Sequence, residues 1–201
     1  MDNWWVEGGQ RVWVEDGRLH VRAEGTRSTG GEVATVWCKT PHPASFQLEM
    51  NAHVVSSSMD VNNINLFFNY SDPSGKPLYE TRNDRKSGAY DLYHQLNGYI
   101  LTFLRADQPG ARSPDGTVQG RVRFRRDPGF RLLAQNYTGD CRAGVTYRLR
   151  VAVHDGEITF WVDGKQRLST RDPKPLGGGY FGLRTYRTYL WWDHVKLSAL
   201  E

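Results

Sequence analysis

Cysteine is scarce in this chain: Cys38 and Cys141 are the only two among 201 residues. Two thiols make no disulfide framework, and no C-x-x-C spacing offers zinc or redox work. They are expected to be reduced thiols that never meet, which favours a cytoplasmic setting; a secreted form with its leader removed would have the same composition. Long apolar runs are missing too. Nothing approaches the roughly 20 residues of a membrane helix, so a helical span is excluded and no membrane partner is expected. The start lacks a cationic stretch followed by apolar residues, and a form without a signal peptide is expected. Helical periodicity is also absent, since no window repeats at 3.6 residues over three turns. Neither a calcium-loop motif nor a histidine spacing suited to zinc occurs. No cofactor is expected beyond a structural Ca²⁺, for which the loop carboxylates Asp72, Asp84 and Asp140 are candidates.

The hydrophobic fraction is only 38%, but 12% of residues are aromatic, with 7 Trp and 10 Tyr, and these supply much of the buried volume. A chain of this length hides roughly 70% of its unfolded surface and needs neither disulfide nor metal to fold. The net charge of +4 is unevenly placed. Residues 80–131 hold ten Lys or Arg against six Asp or Glu, and the remainder is balanced. Arg outnumbers Lys twenty to six, which suits bidentate recognition of carboxylates or phosphates and equally suits a GC-rich genome.

What is present is strand after strand. Candidate strands cover 11–14, 18–23, 32–38, 46–55, 63–70, 91–97, 99–105, 121–125, 130–136, 146–154, 158–162, 180–185 and 190–198. The Asp-Gly pairs at 16–17, 155–156 and 163–164 read as tight hairpin turns. About a dozen short strands with regular turns make an antiparallel sandwich or barrel, in a single domain over 1–201. Two long loops, 71–90 and 106–120, are rich in Pro, Gly and charge, and loops of that length are often functional.

Alternation assigns faces. Phe46, Leu48, Met50, Ala52 and Val54 form a core row, opposite Gln47, Glu49, Asn51 and His53. Ile64, Leu66, Phe68 and Tyr70 oppose Asn63, Asn65, Phe67 and Asn69. Read as a strand, Tyr93, Gln95 and Asn97 oppose Leu92, His94 and Leu96; Arg121, Arg123 and Arg125 oppose Val122 and Phe124. If these strands share one sheet, Glu49, Asn51, His53, Asn65, Tyr93, Gln95 and Arg123 line one cleft. Amides, rings and guanidinium groups suit sugar hydroxyls, apolar sugar faces and carboxylates. The alternative is an ordinary wet sheet face.

Several stretches resemble the bacterial YesU-like proteins of the concanavalin A-like lectin and glucanase superfamily. They are WWVEGGQRVWVEDGRLHV (4–21), VWC (36–38), RKSGAYDLYH (85–94), YILTFLR (99–105), RFRRDPGFRLLA (123–134), ITFWVDGK (158–165) and GYFGLRTYR (179–187). The resemblance spans nearly the whole chain. It implies an all-β, two-sheet antiparallel jelly roll with one concave sheet facing ligand, and a setting in plant-polysaccharide breakdown. It carries over no catalytic residues. The opening strand usual in such folds is expected to be short or missing.

Three chemistries fit parts of the sequence. Hydrolysis needs two carboxylates about 5 Å apart for retention; Glu49 is one candidate, with Asp60, Glu80 or Asp91 as its partner. β-Elimination on a uronic acid needs a cation or amide on the carboxylate, a base and an acid. His53 or His94 would be the base, Tyr93 or Tyr99 the acid, and Arg105, Arg123 and Arg125 the carboxylate ligands, with Asn51, Asn65, Gln95 and Asn97 as further contacts. By phase His94 falls on the core side, where a histidine is more often structural, and Tyr93 and Tyr99 read equally well as strand aromatics. Non-catalytic binding of an acidic oligo- or polysaccharide would use the same face. Nucleic acid on 121–131 is the competing partner, and the modest net charge argues against it.

Overall fold

A computed structural model describes residues 1–106, 112–117, 119–137 and 140–201; part of the expected 106–120 loop lies outside them. Fourteen strands form two seven-stranded sheets. They are β1 (Trp4–Gly8), β2 (Arg11–Glu15), β3 (Arg18–Ala23), β4 (Val33–Cys38), β5 (Phe46–Ser57), β6 (Ile64–Ser71) and β7 (Asn97–Leu104). Then come β8 (Arg121–Asp127), β9 (Arg131–Asn136), β10 (Thr146–His154), β11 (Glu157–Val162), β12 (Lys165–Arg171), β13 (Tyr180–Tyr186) and β14 (Thr188–Ala199). One sheet runs β1-β4-β13-β6-β7-β8-β9, the other β12-β11-β10-β5-β14-β3-β2, and every pair is antiparallel. Helix among the described residues is confined to two four-residue 3₁₀ turns, Arg82–Arg85 and Tyr90–Tyr93. None is long or apolar enough to cross a membrane.

The three Asp-Gly pairs do close hairpins. Asp16, Asp155 and Asp163 have φ of 49°, 47° and 52°, each followed by a glycine at 73°, 79° and 78°. Two successive left-handed residues match the twist of the flanking strands. Between the sheets lies the main core, where Phe46, Leu48, Met50, Leu66, Phe68, Phe124, Leu149, Phe160 and Trp192 are nearly solvent-free. Each such side chain contributes on the order of 1.5–3 kcal/mol. The two cysteines are free thiols.

A second, smaller core sits on the outer face of the β1–β9 sheet. Its sheet residues are Trp5, Trp37, Phe67, Tyr70 and Ile100, and the segment 72–96 covers them with Leu78, Tyr93 and Leu96. Glu7 anchors this cover. Its carboxylate, 1% exposed, accepts from Trp5 Nε1 (3.1 Å), Trp37 Nε1 (2.9 Å) and Tyr93 Oη (2.7 Å). The Arg85 guanidinium, itself buried, lies 3.2 Å away. The backbone follows closely: Gly8 N–H donates to Lys86 O at 2.9 Å, and a Cβ on Gly8 would collide with Val33 O and stand 2.6 Å from Ser87 O.

Two sequence expectations are corrected. Residues 91–96 are not a strand, because Gly88 and the Glu7 bonds turn the chain into the 3₁₀ turn Tyr90–Tyr93, and the strand begins only at Asn97. Trp4–Gly8 and Lys165–Arg171 are strands that alternation did not single out.

Removing the Glu7 carboxylate should leave Arg85 charged, buried and unpaired. Glu7→Ala is expected to cost about 3–5 kcal/mol by denaturant unfolding, and Glu7→Gln less; a loss under about 1 kcal/mol would show that the cover is held by apolar contact alone. A second expectation concerns acid. His42 Nε2 accepts from Asn69 N–H (3.3 Å) and Nδ1–H donates to Pro43 O (2.8 Å), so the ring is held neutral. Burial lowers its pKa below the ordinary 6.5. The unfolded chain therefore takes the proton first, and stability is full above about pH 6.5 and falls as pH drops below it. His42→Gln should flatten the slope between about pH 7 and 5, and an unchanged slope in the variant would refute the assignment.

Candidate functional site

Cross-strand register builds a polar row over the entire β1–β9 sheet. Glu7 pairs with Thr35, Thr35 with Arg184, Arg184 with Asn65, Asn65 with Thr102, Thr102 with Arg123 and Arg123 with Gln135. The adjacent row on the same face reads Trp5, Trp37, Gly182, Phe67, Ile100, Arg125 and Leu132. Segment 72–96 covers much of the apolar row and leaves the polar one beside its edge. The result is a cleft of about 940 Å³ floored by Asn63, Asn65, Thr102, Arg123 and Arg184. Its walls include Arg27, Glu32, Lys86, Tyr90, Asp91 and His94. A space of this size accepts a short oligosaccharide.

Among the described residues, five buried polar atoms lining this cleft make no close hydrogen bond: Asn63 Oδ1, Asn65 Oδ1, Tyr90 Oη (with the Asn65 side chain nearby), His94 Nε2 and Thr102 Oγ1. Buried polar groups are otherwise almost always hydrogen-bonded, and each orphan costs about 1–3 kcal/mol. His94 is held in place by stacking on Phe130 (centroids 4.3 Å apart, 28° between planes) and by the edge of Tyr90 (5.3 Å). Burial raises the Tyr90 pKa, which keeps the hydroxyl protonated. Burial also lowers the pKa of Arg123. Among the described residues four cations line the cleft, Arg27, Lys86, Arg123 and Arg184, against the acids Glu32 and Asp91. Glu32 is bound to Arg187 at 2.8 Å.

Of the residues singled out from sequence, Asn65, Asp91, His94 and Arg123 meet here. The others do not. Glu49, Asn51 and His53 alternate outward as expected, but β5 belongs to the other sheet, so they face away from Arg123. There Asn51 Nδ2 donates to Asp193 (2.8 Å), and His53 bonds Thr146 (2.8 Å) and stacks on Trp191. The expectation of one cleft is thus overturned by the crossover between β5 and β6. Tyr93 is buried under the cover on Glu7, and Tyr99 lies in the main core, donating to Asp172 at 2.8 Å. Arg105 pairs with Asp60 at 2.7 Å, and Arg125 stacks on Phe130 and donates to its carbonyl. Gln95 is exposed, and Asn97 donates to Ser71. None of these six lines the cleft.

Two of the carboxylates expected to partner Glu49 are engaged elsewhere: Asp60 pairs with Arg105, and Asp91 lines the cleft of the other sheet. Asp72 accepts from Ser74 in its own turn, and Asp140 pairs with Arg142. Among the described residues no three His, Cys, Asp or Glu side chains converge as a metal site. Sequence reading passed over Arg184, Thr102 and Tyr90. Their signal was present in GLRTY, where Arg184 alternates with Phe181 and Leu183, and in the quoted RKSGAYDLYH.

Comparison with known proteins places the chain. A model of the family described as a domain of unknown function, DUF6250, matches residues 29–195. The chain belongs to that family. No curated protein matches it. Among solved structures it is similar to a Bacillus subtilis protein of unknown function with a galectin-like fold (TM-score 0.79, 19% identity), covering 98% of this chain and 90% of that one. It is also similar to the carbohydrate-binding module CBM66 from Bacillus subtilis (0.66, 14%), covering 98% and 96%. The exoplasmic/lumenal domain of VIP36, solved bound to Ca²⁺ and Man3GlcNAc, gives 0.67 at 12% identity, covering 99% and 84%. The DUF6250 chain therefore has a galectin-like, concanavalin-like β-sandwich, and its fold neighbours include carbohydrate-binding proteins.

Proposed function

We propose that the cleft on the β1–β9 sheet binds an acidic saccharide. One observation carries this reading: the five orphaned polar atoms all belong to residues that line one cleft. Two amide oxygens and an imidazole nitrogen accept hydrogen bonds, while two hydroxyls give or accept them. A polyhydroxylated ligand offers both roles at short spacing, whereas an apolar ligand would leave every orphan unmatched. The excess of cations around the cleft favours a ligand with carboxylates and steers it in. The glycan-binding fold neighbours and the resemblance to YesU-like proteins point the same way.

A second reading adds chemistry to the same residues. His94 Nε2 and Tyr90 Oη are buried atoms on neighbouring rings, neither making a close hydrogen bond. On a uronic acid the former would take the C5 proton and the latter would protonate the departing C4 oxygen, leaving a C4–C5 double bond. Tyr90 takes the role expected of Tyr93 or Tyr99, and His94 is preferred to His53. Incubation with polyuronates separates the readings: ultraviolet-absorbing unsaturated chain ends mean elimination, and binding without them means a non-catalytic module.

Thr102→Val and Asn65→Ala test the site itself. Each should weaken a bound oligouronide by about 0.5–1.5 kcal/mol, several-fold in Kd. Thr102→Val should not lower stability in denaturant, because Thr102 Oγ1 bonds nothing in the free protein, whereas Asn65→Ala also removes the amide beside the Tyr90 hydroxyl. Affinity unchanged in both variants would remove the cleft from consideration.

A further inference from the structure

The polar row contains a cation with no acid. Arg184 is 3% exposed, and its Nη1 donates to two neutral acceptors, Thr35 Oγ1 (2.7 Å) and Gly88 O (2.9 Å). Among the described residues no carboxylate lies within ion-pair distance of it. Three rings surround it instead, with the guanidinium carbon 5.1 Å from Phe67, 4.7 Å from Tyr90 and 5.1 Å from Tyr93. Burying a charge without a counter-charge is costly, and ring contacts return only part of that cost. The same molecule handles Arg85 differently: it is equally buried, and Glu7 is provided for it at 3.2 Å. Where arginine serves the fold, a carboxylate is built in; at the cleft it is left out.

Beside this cation lies the Tyr90 ring, whose buried hydroxyl has the Asn65 side chain close by and, among the described residues, no acid to bind. Both residues line the cleft. We propose that Arg184 and Tyr90 together form a receptor for a carboxylate carried by the ligand, and that this pair makes the cleft select a uronic acid over its neutral counterpart. The inference rests on the saccharide reading and names the group that reading must recognise. Arg184 supplies the charge and the planar donors that a carboxylate matches. Tyr90 supplies one directed hydrogen bond. A neutral sugar would leave both unmet, which is the situation in which a polar site discriminates most strongly.

Calorimetric titration of the intact protein tests this. The probes are trimers of galacturonate, glucuronate and mannuronate, each paired with its carboxyl-reduced counterpart of the same linkage. At least one acidic trimer is expected to bind tenfold or more tightly than its reduced partner. Tyr90→Phe should lose about tenfold toward the acidic trimer, leave the reduced one unchanged, and unfold at the same or a higher temperature. Arg184→Lys should keep only part of the preference. Equal binding of acidic and reduced trimers by the wild type would overturn the receptor while leaving the saccharide reading intact. So would a Tyr90→Phe variant with undiminished preference. Binding of no trimer of either kind would remove the saccharide reading and the receptor with it. Should Arg184→Lys fail to fold, the Tyr90→Phe result decides alone.

Discussion

The carboxylate of Glu7 is the constraint on which the site depends. An acid buried to 1% exposure is tolerable only when its lone pairs are filled and its charge is met. Trp5, Trp37 and Tyr93 fill the lone pairs, and Arg85 meets the charge. Two of these partners, Arg85 and Tyr93, arrive from segment 72–96, so satisfying Glu7 and docking that segment are one event. Tyr90 and His94, on and just after the same 3₁₀ turn as Tyr93, are thereby delivered to the cleft wall.

The position of the cleft then follows from the period of a strand. Successive outward residues on β1, β4, β6, β7 and β13 alternate between bulky apolar or glycine and polar, giving Trp5 then Glu7, Trp37 then Thr35, Phe67 then Asn65, Ile100 then Thr102, and Gly182 then Arg184. Register aligns these steps into parallel rows. The cover needs the apolar row for its adhesion, and it stops where that row stops. Glu7 and Thr35 lie at the boundary. Arg184 stands between the two regimes, its ring contacts belonging to the covered side while it also lines the cleft.

Strand positions were legible in the sequence because this fold is local in its signals. The alternations at 18–23 and 146–154 and the three Asp-Gly turns are stated by adjacent residues, and they appear as such. Partnership between strands is not local. Nothing in 46–55 or 63–70 says that the two strands, adjacent in the chain, part into different sheets; yet that choice puts His53 and Asn65 on opposite sides of the domain. The segment 85–97 misled for another reason. Its alternation of Tyr93, Gln95 and Asn97 against Leu92, His94 and Leu96 is strand-like, and a distant acid, Glu7, overrides it. His94 consequently leaves the core side that phase assigned to it and stands at the cleft.

The two outer faces of the domain now separate on physical grounds. Across the β12–β2 sheet a second register row runs Trp13, His20, Trp191, His53 and Thr146. It has the sugar-binding composition, and by composition alone it would be the better site. Its groups, however, are spent on one another. Trp13 stacks on His20 at 4.7 Å and 11°, His53 on Trp191 at 4.9 Å and 6°, and Arg11 and Arg18 stand over Trp13 and Trp191. His20 bonds Tyr189, His53 bonds Thr146, and Asn51 bonds Asp193. Ring faces already covered cannot stack on a sugar, and polar atoms already paired gain little from a hydroxyl. The opposite row of Arg184, Asn65 and Thr102 is smaller and poorer in aromatics, but among the described residues Asn65 Oδ1 and Thr102 Oγ1 in it are left without partners and Arg184 without an acid. A binding surface is distinguished by what the protein leaves unsatisfied, and that criterion selects the cleft of the β1–β9 sheet.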